Sequence, residues 1–346
     1  MATKKVVLIT GANGHIGFRV LVFALQEGYK VRAAVRNQEK ASRISAAQSI
    51  RALEPGEDLT FCFVPDLLLT GAYDDAVKDV DYIIHIASPI ESGITPDQYE
   101  THLIQPAVGG TLGILTAAQK SPTVRRIVIT SSIVALIPWY DLYEAETGKV
   151  FNEQSRIDDL SGPYKSESEA YAASKARALN ATTRFLEEEK PHFDVVHVCP
   201  SWVLGKDELV TESKYITVGT NGSVLRQVLG VKQESATPST SVHLDDVATA
   251  HVKALEPSVP SSYCLVAQSG GVQGTTWSDA IEIVQRRFPQ AVAAGVLPNN
   301  GFASTKRTKI DASETARLLG IDFKSYEEQV VGVVRHYLEL KGVEPR

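Results

Sequence analysis

Short apolar runs recur along the chain, each closed by glycine or small polar residues and followed by a longer stretch of mixed polarity. Residues 6–9, 30–35, 59–64, 80–87, 124–130 and 192–199 are rich in Val, Ile and Ala and predict strands buried on both faces. Between them, Phe18, Leu21, Val22 and Leu25 fall at helical spacing. Residues 37–53, 99–120 and 166–189 also read as helices, and 73–78 as a helical turn. Residues 133–165 break the rhythm with Pro138, Trp139, Tyr140, Tyr143, Gly148, Gly162 and Pro163, and read as part of a substrate pocket wall, with a plain surface excursion as the alternative. Beyond 205 the pattern is irregular to 242. A helix then opens at 241–247 and runs to 255, a strand covers 262–267, and helices cover 277–288, 311–319 and 325–340. Strands alternating with helices predict an α/β fold with a doubly wound parallel sheet and right-handed crossovers.

Composition narrows this picture. The chain has 346 residues, 43% hydrophobic and 22% charged, with net charge −6. No basic stripe points to nucleic acid, and no apolar run approaches the roughly 18 residues of a membrane span. The apolar run after Lys4-Lys5 is too short for a signal peptide. Cys62, Cys199 and Cys264 are odd in number and far apart, so reduced thiols and a cytoplasmic setting are expected, with no disulfide and no metal.

Candidate chemistry begins at the first strand. Gly11, Gly14 and Gly17 follow it directly and open the first helix, the context of a dinucleotide-binding turn in a Rossmann sheet. Gly11 permits the tight turn, Gly14 lets backbone approach a pyrophosphate, and Gly17 lets helix pack on strand; the helix end offers N–H groups to phosphate. Asn13, His15 and Ile16 complete this turn, with backbone contact expected for His15. Arg36, with Arg32 and Lys40 nearby, stands 19 residues past Gly17, where an NAD site carries an acid. An arginine there can grip a 2′-phosphate, so NADP(H) is favoured; a solvated arginine at a strand end is the plain alternative. Ligands of such sheets lie beyond the carboxyl ends of the strands, where Gly14, Arg36, Asp66, Ser88 and Ser132 all fall.

Tyr171 and Lys175 share a helix face at i and i+4. A free tyrosine titrates near 10, and a neighbouring ammonium and a cationic cofactor ring draw it toward working pH. Ser132 beside them can hydrogen-bond a carbonyl oxygen. Tyr337 and Lys341 repeat the spacing on what reads as a surface helix. His85 reads as a core residue, and His243 with Asp245 and Asp246 as a helix start.

Thr10-Gly11-x-x-Gly14-x-x-Gly17, Asp66-Leu67, Ala87-Ser88-Pro89, Thr130-Ser131-Ser132, Tyr171-x-x-x-Lys175 and Pro200-x-x-Val203-x-Gly205 resemble the extended short-chain dehydrogenase/reductases. Gly109-Gly110-Thr111, the 241–246 stretch and Lys309-Ile310-Asp311 resemble the dihydroflavonol-reductase-like group, which includes fungal carbonyl and aldehyde reductases. The resemblance spans nearly the whole chain. It implies an NADP(H)-binding Rossmann domain over 1–205, to which part of 240–270 returns, and a mainly substrate-binding lobe over 206–346. It implies Tyr171 as acid/base, Lys175 as its partner and Ser132 as oxyanion donor. Asp66 and Leu67 would lie near the adenine, Ala87, Ser88, Pro89 and Thr130 near the cofactor, and Pro200 and Val203 near the nicotinamide. Arg36 and Lys40 match 2′-phosphate ligands. One departure is the lack of an Asn near 106–111, which removes the usual residue for a proton relay there.

The expected activity is NADPH-dependent reduction of a ketone or aldehyde, with Tyr171 as proton donor. Ile133, Tyr164, Trp202 and Tyr215 are expected against an apolar or aromatic carbonyl substrate, in a monomer or homodimer. A hydroxysteroid dehydrogenase, a nucleotide-sugar epimerase or dehydratase, and a non-enzymatic NADP(H)-sensing regulator are the alternatives.

Overall fold

A computed structural model describes residues 4–88 and 93–344. The elements run β1 (Val6–Thr10), α1 (His15–Gln26), β2 (Lys30–Val35), α2 (Gln38–Ser45), α3 (Gln48–Leu53), β3 (Leu59–Phe63), β4 (Tyr82–His85), α4 (Gln105–Gln119), β5 (Arg126–Thr130), β6 (Val150–Phe151), α5 (Glu167–Glu189), β7 (Asp194–Pro200) and β8 (Trp202–Leu204). They continue α6 (Ser213–Ile216), α7 (Gly222–Val228), β9 (Lys232–Pro238), β10 (Ser241–His243), α8 (Leu244–Lys253), β11 (Tyr263–Ala267), α9 (Asp279–Arg287), α10 (Pro289–Ala293), β12 (Phe302–Lys306), β13 (Lys309–Ile310), α11 (Ser313–Leu319) and α12 (Tyr326–Leu340). Residues 73–78, expected as a helical turn, hold one such turn, with the Val77 nitrogen donating to the Tyr73 carbonyl at 3.0 Å, among tighter ones.

The main sheet has strand order β11-β7-β5-β4-β1-β2-β3, with parallel registers from β3 through β7. This is the doubly wound sheet predicted from the alternation of runs. The order reverses between β1 and β4, so their carboxyl ends frame the crevice where such sheets take ligands. The apolar runs earn their burial here: Leu8, Ile83, Ile127 and Val195 pack with Ile114, Leu115 and Ala118 of α4.

The chain divides into two compact units. The first comprises 1–139, 153–199 and 248–265, and the second 140–152, 200–247 and 266–346. Residues 248–265 group with the first unit, and 140–152 and 200–205 with the second. Residues 140–152 join the second unit because β6 pairs with β13 and the buried Lys306 ammonium donates to the Asp141 carbonyl at 2.7 Å. The second unit has its own core of Trp277, Phe288, Val224, Leu225, Val330 and Val334. Tyr337 is buried in it, so the second Tyr–Lys pair lies on a core-packed helix rather than a purely surface one.

Candidate active site

The turn after β1 explains its own glycines. Gly11 has φ +69°, and a Cβ there would lie 2.8 Å from the Ala87 nitrogen. A Cβ on Gly17 would overlap the Gly11 carbonyl oxygen. Gly14 differs: its backbone is extended, and a Cβ would meet only the Gly11 oxygen, at 3.4 Å. Chain packing thus requires glycine at 11 and 17, whereas at 14 it leaves room for a ligand to approach the backbone. No side chain caps the amino end of α1 and its first turn holds no acid, so the helix end suits an anion. Asn13, His15 and Ile16 lie in this turn and the first turn of α1.

Thr10 ties this turn to β4. Its hydroxyl accepts from the Ile86 and Ala87 nitrogens, both at 3.1 Å, and stands 2.9 Å from His85 Nδ1. Ala87 and Ser88 are thereby held beside the glycines; Pro89 lies outside the described residues.

Arg36 sits just past the end of β2 and is exposed. Asn37 caps α2 through the Lys40 nitrogen, placing Lys40 on the next turn, where its ammonium pairs with Glu39 at 3.3 Å. Arg32 donates to the Ala76 and Lys78 carbonyls. Asp66 follows β3 and accepts from the Leu68 nitrogen at 2.9 Å, while Leu67 packs on Gly110.

Ser166 caps α5 by accepting from the Glu169 nitrogen, which fixes the helix that carries Tyr171 and Lys175. Tyr171 lies beside Ser132, itself held at the end of β5 by a cap to the Val134 nitrogen. The Lys175 ammonium lies 5.7 Å from the Tyr171 ring centre and donates to Ser88 Oγ at 3.4 Å. Lys341 lies at nearly the same distance, 5.8 Å, from the Tyr337 ring. What separates the pairs is therefore the surroundings, not the spacing: only Tyr171 meets a serine at the strand ends.

Burial dominates the titration here. It pushes Tyr171 up to about 12, partly opposed by Ser132. Burial likewise holds Lys175 down to about 8. In the chain alone, removal from water is the larger influence on Tyr171. At neutral pH Tyr171 is a phenol carrying its proton.

Other expected residues are engaged elsewhere. The Thr130 hydroxyl lies 2.6 Å from His251 Nε2 of α8. Ile133 is fully buried. Tyr164 donates to the Leu160 carbonyl at 3.0 Å and packs against Tyr99 and Ala170. Ile133 is thus packed fully and Tyr164 in part. Pro200, Trp202, Val203 and Tyr215 belong to the second unit. There Val203 pairs with Val242, Trp202 meets Tyr143 edge-on, and Tyr215 is exposed. His243 Nδ1 accepts from the Asp245 nitrogen, while Lys324 donates its backbone nitrogen to Asp246 and its ammonium to Asp245. No group of three or more metal-ligating side chains occurs among the described residues, where all three cysteines are free thiols. No described helix is long and apolar enough to cross a membrane.

Sequence reasoning missed the polar residues behind Lys175. His85 is buried and held down to about 3 by burial and by Lys175; His197 is held down to about 4 by burial and Arg156. Both titrate from 6.5 when unfolded. The unfolded chain therefore gains protons below 6.5 that the folded chain refuses, and stability is lost as pH falls from about 6.5 toward 4. The expected loss is about 1.4 kcal/mol per pH unit per histidine. The urea midpoint should fall between pH 7 and 5, and should fall less in His197→Phe.

The fold and this constellation define a nicotinamide-dependent oxidoreductase. The chain belongs to the NAD dependent epimerase/dehydratase family, whose model matches residues 7–263. Within it, the chain falls in the dihydroflavonol-reductase-like group of extended short-chain dehydrogenase/reductases. It is 39% identical to ketoreductase CTB6 of Cercospora nicotianae, covering 98% of each chain. It is 36% identical to the NAD-dependent epimerase/dehydratase ALT6 of Alternaria alternata, over 94% of this chain and 96% of that one. Yeast methylglyoxal/isovaleraldehyde reductase Gre2, solved with NADPH, superposes with TM-score 0.79 at 26% identity, over 97% of this chain and 99% of that one.

Proposed function

We propose that the protein is an NADPH-dependent reductase of ketones or aldehydes, acting on an apolar or aromatic carbonyl compound. The observation that carries this reading is the meeting of Tyr171 and Ser132, with Lys175 behind them, on the sheet that also presents the glycine turn. The ketoreductase and NADPH-bound relatives support it.

The turn fits a dinucleotide by the open space over Gly14 and the uncapped helix end. Gly14 and the first turn of α1 would hold the pyrophosphate, Arg36 and Lys40 the 2′-phosphate, and Lys175 with Ser88 the ribose hydroxyls. When bound, the reduced nicotinamide supplies a hydride to the carbonyl carbon. Tyr171 Oη gives its proton to the carbonyl oxygen as negative charge gathers there, and Ser132 Oγ donates a hydrogen bond to the same oxygen. A tyrosine that stays protonated at neutral pH suits this direction.

The epimerase reading, favoured by the name of ALT6, shares the same Tyr–Lys pair; the exposed cation at Arg36 favours NADP(H) instead. Arg36→Glu should raise the KM for NADPH by about 10–100-fold, the worth of hydrogen bonds to a charged group, and leave that for NADH little changed. Equal losses with both cofactors would place the 2′-phosphate elsewhere.

A further inference from the structure

One side of the Lys175 pocket lies beneath the strand ends. A cavity there offers about 20 Å³ to the centre of a water molecule, and its lining includes His85, Ser88, Thr111, Ser131, Lys175 and His197. About 10–15 Å³ measured this way suffices for one water. His85, Ile129 and His197 share one rung of the sheet across β4, β5 and β7, so the two histidines face the same side. α4 contributes Ala107 and Thr111 to the same space.

The hydrogen bonds fix the state of His85. The Thr10 hydroxyl uses its lone pairs on the Ile86 and Ala87 nitrogens, so its one proton goes to His85 Nδ1. A neutral ring then carries its proton on Nε2, as a donor with no hydrogen-bond acceptor among the described residues. Lys175 is a second donor here, with one long bond to Ser88. Thr111 commits its proton to the Ala107 carbonyl at 2.9 Å and can only accept. Two donors and an acceptor around a water-sized space are the partners a buried water needs.

We propose that His85 is a positioning residue for Lys175: a water in this cavity accepts from His85 Nε2–H and Lys175 Nζ–H, donates to Thr111 Oγ1, and so anchors the ammonium to the sheet. The arrangement stands in for the Asn that is lacking near 106–111, and it rests on the role proposed for Lys175. Thr10 acts one step further back, fixing the tautomer that lets His85 donate.

The groups facing Lys175 are His85 from β4, His197 and Cys199 from β7 and Tyr171 from its own helix; α4 presents none that titrates. Removing the water would leave the ammonium with one bond fewer and ease its deprotonation. The alkaline limb of kcat for reduction should then move down by about one pH unit in His85→Phe, with kcat about tenfold lower. Thr111→Val should shift it in the same direction. His85→Gln, whose amide can accept from Thr10 and donate to the water, should restore most of both. A crystal structure should show a water within hydrogen-bond reach of His85 Nε2 and Lys175 Nζ. A folded His85→Phe with the parent's limb and kcat, or a crystal structure without that water, would overturn the proposal. Lys175→Met with undiminished turnover would instead remove the role of Lys175 itself.

Discussion

Replacing Tyr171 by Phe is expected to lower kcat for carbonyl reduction by about 10²–10⁴-fold, the usual worth of a positioned general acid, while NADPH still binds. The ring keeps its packing on α5 and only the hydroxyl is lost. Ser132 remains to polarise the oxygen, so a residual rate should persist. Ser132→Ala should cost less than Tyr171→Phe, because it removes one hydrogen bond and no proton. Stopped-flow kinetics with a reducible ketone, alongside NADPH titration by fluorescence, separates binding from chemistry. Full turnover in Tyr171→Phe would remove this residue from the reaction.

The second large effect is expected at Gly17. A Cβ there would overlap the Gly11 carbonyl oxygen, which belongs to a rigid turn held against Ala87. The overlap is with backbone, so no side chain can swing away. Gly17→Ala should destabilise the fold by about 1–3 kcal/mol or more and abolish measurable NADPH binding. Gly14→Ala is the informative contrast. Its Cβ meets only one protein atom, at 3.4 Å, so stability should stay near that of the parent while NADPH affinity falls. Chemical denaturation and NADPH titration of both variants distinguish a glycine needed by the chain from one needed by the ligand. Equal loss of stability in the two would contradict that division.

These predictions rest on features with different legibility in the sequence. The sheet was readable because its strands are buried on both faces, so hydrophobic runs mark them directly. The glycine turn was readable because its constraint is local. β9 was not: Lys232–Pro238 is polar and mostly exposed, so no apolar run announces it. The loop at 133–165 looked like one unit, but its middle is stitched to β13 and Lys306, partners more than 150 residues away. Such long-range pairing leaves no periodic trace.

The site divides the same way. Tyr171, Lys175 and Ser132 were found by spacing and by their place at strand ends, and the fold brings them together. Arg32, close to Arg36 in sequence, turns inward to the Ala76 and Lys78 carbonyls, an orientation that its place in a strand does not reveal. Ile133 and Tyr164, expected against the substrate, are packed in the fold, Ile133 fully and Tyr164 in part. His85 read as core because it interrupts an apolar strand. Its meaning appears only when the rung across β4, β5 and β7 sets it opposite Lys175 and Thr111.

The central claim is that this site moves a hydride from NADPH to a carbonyl carbon. The most direct measurement follows NADPH and NADH oxidation by the purified protein against aldehydes, ketones, ketoesters and flavonoid ketones, with the alcohol identified by mass. The account predicts NADPH consumption matched one for one by alcohol, with apolar or aromatic carbonyls preferred and NADH poorly used. Purified protein that carries NAD, epimerises a nucleotide sugar and leaves NADPH untouched across the panel would contradict it.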